Sequence, residues 1–290
     1  MTMNSEIELL MTLATKHLAQ GDAETANACL SGVLTLQPHH LTAHNLREAH
    51  ALPGNYGSWM GVNAQISPDD DIFRFFASHP TSTHPIRDYL SDGWRTMTEL
   101  QVLMEQHGHV LGQSKAFLEF ASGHGRFTRH LVKRLPQGAL TVSDVVPGSV
   151  GFLQDLLGVQ GFYSTPEPHH VQFLQAFEHI FVLSLFSHLP QSTWGDWLAQ
   201  LYGALRPGGL LIFSTHGLKC AEQAGVQLQD GYAFFDSSES SAIPGQAYGT
   251  TFTSPDFVLN TARRVLGNNA RVSVVPHHFW GNQDAVVIQG

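Results

Sequence analysis

Apolar and polar positions divide the sequence into a helical first part and a second part in which short apolar runs alternate with amphipathic segments. Between residues 5 and 52 the apolar residues recur every three or four positions, a spacing that predicts helices. From residue 115 onward, alternating strand and helix patterns predict a parallel, doubly wound α/β sheet. The predicted strands are 116–120, 139–144, 160–164, 178–184 and 209–214, and the predicted helices between them are 125–135, 148–157 and 192–205.

The end of the chain departs from this alternation. After a helical segment near 255–266, residues 271–275 and 285–288 have the pattern of two strands joined by a turn-rich segment. Such a hairpin makes one of its two strands antiparallel to the rest of the sheet. The sequence therefore predicts a mostly parallel, seven-stranded sheet with an antiparallel C-terminal strand, preceded by a small all-helical extension.

The N-terminal extension has the pattern of a helical hairpin. Ser5 opens a capping box that predicts the start of the first helix, and Gly21-Asp22 predicts its end and the start of the second. The second helix is predicted to turn inward Ala26, Leu30 and Val33. The spacing of small and apolar residues resembles one tetratricopeptide unit. Because such arrays need about three stacked units to be stable, we expect this hairpin to pack on the main domain, to form a homodimer or to bind a protein partner.

Breaks in the pattern divide the chain into four predicted regions. These are a helical hairpin at 1–52, a linker at 53–66, a helical lid region at 67–112 and the sheet domain at 113–290. In the lid region, Pro68 and the acids after it predict a helix start, and the prolines of His79–Pro85 predict an irregular segment. Tyr89 and Trp94 then precede the first strand, where they form either a lid over a ligand or part of the core.

Composition narrows the classes of function. The 290-residue chain has a formal charge of −9 and only 13% charged residues, with scattered Lys and Arg, so we expect no nucleic-acid partner. Cys29 and Cys220 provide neither a disulfide framework nor a four-ligand zinc site, which favours a reducing compartment. There is no run of about 18 apolar residues and no basic segment followed by an apolar core at the N-terminus. We therefore expect a cytoplasmic protein that has no membrane span.

The stretch around residue 120 has the pattern of a nucleotide-binding loop. An apolar strand containing Glu119 breaks into Gly123-His124-Gly125 and restarts as a basic helix. Glycines at this spacing allow a sharp turn and close approach of a ligand, and the next helix offers its N-terminal amides. Asp144 lies 144 − 125 = 19 residues beyond the second glycine, where an acid binds ribose hydroxyls in nucleotide-binding folds. Read alone, Asp144 fits a helix cap or turn equally well.

Four motifs together resemble class I S-adenosylmethionine-dependent methyltransferases. They are Glu119-x-x-x-Gly123-x-Gly125, the acid Asp144, Leu185–Leu189 after the fourth strand, and Leu205–Gly209 before the fifth. The resemblance covers about 115–290 and implies S-adenosyl-L-methionine as cofactor. The positions that it implies for cofactor contacts are Tyr89, Gly93, Glu119, Ala121, Gly123, Gly125, Asp144, Tyr163, Ser164 and Ser184.

Two features separate this chain from related possibilities. A nicotinamide dehydrogenase needs a third glycine where Thr128 stands and usually no acid at Glu119, so that class fits less well. Many methyltransferases carry an Asp for adenine after the third strand, whereas this chain has Phe162-Tyr163-Ser164 there. Either aromatic ring suits stacking on adenine, and the serine offers a polar contact. A methyltransferase-like domain without catalysis, recruiting a partner through its helical arm, is the main alternative.

Two histidines are the candidates for the base at the methyl-acceptor site. His188 and His216 follow the fourth and fifth strands, at the edge where ligands of such folds bind, and either suits a base that takes a hydroxyl proton. The chain has 18 histidines, so a structural role competes for each. An aromatic insertion near the same edge has the pattern of two short extended pieces around a turn at Pro244-Gly245. It either walls an acceptor pocket, with Glu239 or Tyr248 facing in, or forms a surface hairpin that covers the sheet end. We expect O-methylation of a small-molecule or carbohydrate-like acceptor and no metal.

Overall fold

The computed structural model describes residues 2–237, 243–267 and 270–290. The chain forms two compact units, 1–93 and 94–290. The predicted boundaries near 52, 66 and 112 stay predictions, since the division between the two units falls inside a single long helix.

The first unit is helical. Its helices are α1 (Met3–Ala19), α2 (Ala23–Leu36), α3 (Leu41–Ala49), α4 (Gly57–Met60), α5 (Asp71–Ser78) and the first part of α6 (Pro85–Gln106). Asp22 caps α2 as predicted, and the three residues predicted to face inward are buried. The tetratricopeptide likeness of α1 and α2 stays a prediction.

Two helix starts in the first unit differ from the prediction. Helix α1 begins at Met3 with Thr2 as its cap, whose hydroxyl accepts from the Ser5 N–H, so Ser5 lies inside the first turn rather than at its start. Helix α5 begins at Asp71, because the Asp70 carboxylate accepts from the N–H groups of Ile72 and Phe73. Pro68 therefore precedes the helix instead of forming its first turn.

The second unit contains the sheet. Its strands are β1 (Phe117–Phe120), β2 (Leu140–Asp144), β3 (Gln160–Tyr163), β4 (Phe177–Val182), β5 (Leu205–Thr215), β6 (Tyr232–Phe235), β7 (Thr250–Thr253), β8 (Arg271–Phe279) and β9 (Gln283–Gln289). Its remaining helices are α7 (Thr128–Val132), α8 (Ser149–Leu157), α9 (Gln191–Gly203), α10 (Leu218–Gln223) and α11 (Pro255–Leu266), with short 3-10 turns at Leu111–Gln113 and Pro168–His170.

Seven strands form one sheet in the order β3-β2-β1-β4-β5-β9-β8. Strands β1 to β5 pair in parallel, and β9 enters antiparallel between β5 and β8. This confirms the predicted α/β fold with its antiparallel C-terminal strand. Because β9 runs the other way, its first residues lie at the same edge as the carboxyl ends of the parallel strands, with Asp284 opposite Thr215.

Two apolar clusters, each built partly from the sheet strands, form the core of this unit. One contains Trp194 and Leu198 of α9, and the other contains Leu100 of α6, Phe127 and Leu131. All four residues of β1 are buried, as a central parallel strand requires. Glu119 is the acid among them, so its carboxyl group is enclosed by the fold.

The insertion between β5 and α11 forms the antiparallel β6–β7 hairpin, in agreement with the two extended pieces predicted there. Strand β7 is tied to the segment after β4, since the Thr251 N–H donates to the Ser187 carbonyl at 2.7 Å. It also meets the end of β5 through a bridge between His216 and Phe252. The hairpin therefore borders the carboxyl edge of the sheet.

The helix after the glycine loop is shorter than predicted. The pattern indicated 125–135, whereas α7 spans only Thr128–Val132. Gly125 has φ +85°, which no helix accommodates, and the ring of Phe127 is buried in the core. Among the described residues, no helix is both long and apolar enough to cross a membrane.

Candidate functional site

The loop after β1 contains three residues in left-handed backbone conformation. Ala121, Gly123 and Gly125 have φ values of +61°, +55° and +85°. A side chain at Gly125 would be strained by this φ value, and a Cβ there would lie 2.3 Å from the Leu153 Cδ2 atom, which would have to shift. At Gly123 a Cβ would meet nothing within 4 Å. The backbone at Gly123 therefore faces open space, as a loop that receives a ligand requires.

Glu119 lies beneath this loop. Its carboxyl group is buried, and its Oε2 atom has no hydrogen-bond partner among the described residues. Burial raises the pKa of Glu119 to about 8, with the Thr128 hydroxyl opposing this rise and the Asp144 carboxylate adding to it. A buried carboxyl group with spare acceptor capacity suits a cationic ligand group.

Asp144 ends β2 and is joined to the loop. Its Oδ2 atom accepts from the Gly123 N–H at 2.7 Å, and its Oδ1 atom accepts from the Val146 N–H at 2.8 Å. Burial raises the pKa of Asp144, against the lowering effect of these two hydrogen bonds. Asp144 is thus a turn residue and also a buried carboxylate at the carboxyl edge, and its contact with ribose hydroxyls stays a prediction.

The end of β3 contributes Tyr163 and Ser164. The Tyr163 hydroxyl accepts from the N–H groups of Gly148 and Gly151, at 3.1 and 3.3 Å, and so caps the start of α8. The Ser164 N–H donates to the Asp144 carbonyl, which places Ser164 beside the end of β2. Phe162 instead packs on the core, edge-on to Phe173. Adenine stacking by either ring stays a prediction.

Ser184 lies just past β4 and has φ +59°, a second strained position at this edge. Its N–H donates to the Ser214 hydroxyl at 2.8 Å, and its own hydroxyl lies 3.3 Å from the amide nitrogen of Gln283. Sequence reasoning missed Gln283. The signal for it was the antiparallel last strand, whose first residue must lie at the carboxyl edge.

His188 and His216 are oriented by backbone carbonyls at the start of strand β7, one just before the strand and one within it. The Nδ1–H of His188 donates to the Gly249 carbonyl at 2.6 Å, and that of His216 donates to the Thr251 carbonyl at 3.2 Å. A carbonyl only accepts, so each ring carries a proton on Nδ1, and a neutral ring held in this way has its lone pair on Nε2. The two ring centroids are 5.8 Å apart. The structure thus brings together the two histidines that the sequence singled out.

The surroundings of these two rings differ. His188 is 4% exposed, and burial lowers its pKa to about 4 although its hydrogen bond to Gly249 opposes the shift. Tyr248 stacks on it, with ring centroids 4.4 Å apart and planes 17° apart. His216 is only half-buried. Glu239, the other side chain predicted to face this region, lies outside the described residues.

Tyr89 and Gly93 lie in the first unit. Tyr89 is fully buried, with its hydroxyl donating to Asp70 at 2.5 Å and its ring against Phe73 and Phe76. Gly93 is a buried helical residue of α6. Cofactor contacts from these two residues stay predictions. Among the described residues, no three His, Cys, Asp or Glu side chains are grouped so that they could hold a metal ion.

The residues at this edge fit S-adenosyl-L-methionine. The uncompensated Glu119 oxygen suits the ammonium group of a methionine moiety, and the open space at Gly123 admits a ligand against the backbone. Asp144 provides carboxylate oxygens suited to ribose hydroxyls. The fit rests on donors and acceptors already present in the fold.

Comparisons with known proteins agree with this fit. Residues 118–211 match a family described as a methyltransferase domain. No curated protein matches the sequence. Among solved structures, the plantazolicin methyltransferase BpumL, in complex with a triazolic desmethylPZN analog and SAH, superposes with a TM-score of 0.51 at 10% identity, covering 76% of this chain and 95% of that one.

Two further structures are similar at lower TM-scores. An S-adenosylmethionine-dependent methyltransferase from Clostridium acetobutylicum gives 0.48 at 10% identity, over 68% of this chain and 90% of that one. The N-methyltransferase NodS from Bradyrhizobium japonicum, in complex with SAH, gives 0.46 at 14% identity, over 77% and 93%.

The family match runs from β1 into β5, and the strand order of the sheet agrees with it. Glu119, the glycine loop and Asp144 all fall within the matched residues. Residues 118–211 therefore resemble a methyltransferase domain, and the α/β fold around them agrees with that match.

Proposed function

We propose that this protein methylates a hydroxyl group of a small-molecule or carbohydrate-like acceptor. The observation that carries the proposal is the pair of histidines at the carboxyl edge, whose Nδ1–H groups donate to the carbonyls of Gly249, just before β7, and Thr251, within it. A hydroxyl acceptor must lose a proton during transfer, and a neutral imidazole is suited to take it.

Glu119, Gly123 and Asp144 would hold the cofactor. Bound there, S-adenosyl-L-methionine supplies an electrophilic methyl group on a sulfonium sulfur. The carboxyl group of Glu119 would ionise to pair with the ammonium group, because a positive charge at that position offsets the cost of burying the carboxylate. The Asp144 carboxylate accepts from the loop at Gly123 and would offer its remaining lone pairs to the cofactor.

His216 is the better candidate for the proton acceptor. The ring of His188 is almost fully enclosed, and its pKa of about 4 makes it a poor base at neutral pH. His216 is oriented in the same way but is half-buried, so an acceptor hydroxyl has access to it. His188 then positions strand β7, to which it is joined by its side chain and by its own carbonyl, which accepts from the Gly249 N–H at 2.8 Å.

Calorimetric titration of the purified protein with S-adenosylhomocysteine tests the cofactor site. Binding that also raises the melting temperature supports it, whereas no heat and no thermal shift at millimolar ligand would refute it. Incubation with methyl-labelled cofactor and panels of phenols, sugars and amines then tests the acceptor class. Label confined to amines would exclude O-methylation.

The alternative is a catalytically silent domain that recruits a partner through residues 1–52. This alternative would be favoured if the protein binds S-adenosylhomocysteine but transfers no label to any acceptor of the panels. It would also require a protein complex that is lost when residues 1–52 are deleted.

A further inference from the structure

Residues 121–127 form a non-helical loop that is held from several sides. Asp144 binds it at Gly123, and the buried Arg129 donates from Nε to the Gly125 carbonyl at 2.8 Å. A third contact comes from the far end of the chain, where the guanidinium of Arg126 lies 5.4 Å from the ring centroid of Trp280. This distance is within the range of a cation–π interaction.

Trp280 occupies the tip of the β8–β9 hairpin in a conformation that bulky residues rarely adopt, with φ +57°. Its backbone N–H donates to both carboxylate oxygens of Glu99, at 3.0 and 3.1 Å, and its indole Nε1–H donates to the Thr96 hydroxyl at 3.1 Å. These hydrogen bonds to α6 fix the indole ring in place.

Further contacts anchor the same hairpin tip. The His278 Nε2–H donates to the Glu99 carbonyl at 2.8 Å, and the Lys219 ammonium donates to the Gly281 carbonyl at 2.7 Å. Phe279 is fully buried in the core beside Phe181. A strained residue that is held this firmly indicates a position that the fold fixes for a purpose.

We propose that Trp280 is a positioning residue for the cofactor loop and acts through Arg126. Because Arg126 directly follows Gly125, a fixed indole ring beneath its guanidinium restricts the loop to the conformation whose amides face the ligand. Such restriction raises affinity by lowering the ordering cost of binding. The inference rests on the proposed cofactor site, and it assigns an affinity-setting role to residues outside the glycine motif.

A double-mutant cycle on the affinity for S-adenosylhomocysteine tests the coupling between Trp280 and Arg126. Trp280→Leu and Arg126→Met are each expected to weaken S-adenosylhomocysteine binding about five- to tenfold, the range of a partly desolvated cation–π pair. The double variant is expected to bind no more weakly than the weaker single variant. Trp59→Leu is the matched control, since Trp59 is 73% exposed and lies outside both the glycine loop and the β8–β9 hairpin, and we expect it to bind as the wild type does.

Fluorescence provides a readout that a purely structural role would not change. We expect S-adenosylhomocysteine to change the emission of Trp280, measured as the difference between the wild type and Trp280→Phe. Arg126→Met should abolish this ligand-induced change, although Trp280 is still present. Should Trp280→Leu fail to fold, Trp280→Phe and Arg126→Met complete the cycle.

The two proposals fail in different ways. If the wild type does not bind S-adenosylhomocysteine, the cofactor site is refuted. If the wild type binds it and the Trp280 or Arg126 variants bind equally well, the positioning role alone is overturned. The same holds if the losses in affinity of the two single variants multiply in the double variant.

Discussion

The backbone N–H of Gly123 donates a 2.7 Å hydrogen bond to Oδ2 of Asp144, at the point where β1 and β2 end. The other oxygen of the same carboxylate accepts from Val146, so Asp144 joins the glycine loop to the turn after its own strand. An acid at this position therefore shapes the loop before any ligand arrives, and this separates it from a residue that acts only on ribose.

Asp144→Asn is expected to destabilise the protein by about 1–3 kcal/mol, the cost of leaving a buried donor unsatisfied. An amide has a single acceptor oxygen, so either the Gly123 or the Val146 N–H would face the amide NH₂ group instead. The affinity for S-adenosylhomocysteine should also fall, because the glycine loop is held less firmly. Urea unfolding and calorimetry measure the two effects, and Asp155→Asn on the exposed side of α8 should change the unfolding free energy by no more than about 0.5 kcal/mol.

Glu119→Gln is expected to exchange cofactor affinity for stability. The folded pKa of Glu119, about 8, lies above its ordinary value of 4.5. The group therefore contributes its full stability below pH 4.5 and loses it as the pH rises towards 8. Glutamine cannot ionise, so the variant should gain stability relative to the wild type progressively over this window.

Glu119→Gln should also bind S-adenosylhomocysteine at least about tenfold more weakly, because the ammonium group of the ligand loses its charged partner. Urea unfolding at several pH values and calorimetry check both halves. Glu105→Gln, at an exposed position of α6, should leave stability and affinity as they are. A stability difference that stays flat between pH 5 and 8 would contradict the raised pKa of Glu119.

Strand and helix alternation predicted the sheet well because each buried parallel strand is a short apolar run, and local pattern alone reveals such runs. The start of α7 could not be predicted in this way, since the burial of Phe127 depends on residues distant in sequence. The same is true of Gln283 and Trp280, which reach the site only because the last strand runs antiparallel. The glycine loop could be predicted, but its supports could not.

Ala121 has φ +61° where a glycine would be unstrained. Left-handed backbone costs an alanine about 1–2 kcal/mol, and a glycine adds about 0.4–1 kcal/mol of unfolded-state entropy. Ala121→Gly is therefore expected to leave stability unchanged or to raise it by up to about 1.6 kcal/mol. Urea unfolding measures this, with the buried Ala139→Gly as a control that should lose stability. Equal losses in both variants would show that the strain at Ala121 is not real.

Asparagine substitutions can separate the roles of the two histidines. An asparagine amide places its nitrogen near the position of Nδ1, so it can still donate to Gly249 or Thr251, but it has nothing in place of Nε2. His216→Asn should therefore still bind S-adenosylhomocysteine. Its rate of methyl transfer to the acceptor that the wild type labels should fall about 10²- to 10⁴-fold. His188→Asn should lose less than about tenfold, because its role is to hold β7. The reverse order would assign the proton to His188.

His188→Asn also has a signature that needs no acceptor. The pKa of His188 is lowered from 6.5 to about 4 in the fold, so the unfolded chain binds its proton first as the pH falls. The wild type therefore holds this contribution to stability above pH 6.5 and loses it progressively between 6.5 and 4. The variant lacks the titrating group, so any deficit in its unfolding free energy at pH 7 should shrink as the pH falls through this range. Urea unfolding at half-unit pH steps measures the trend, and a constant deficit would mean that His188 is not buried in its neutral form.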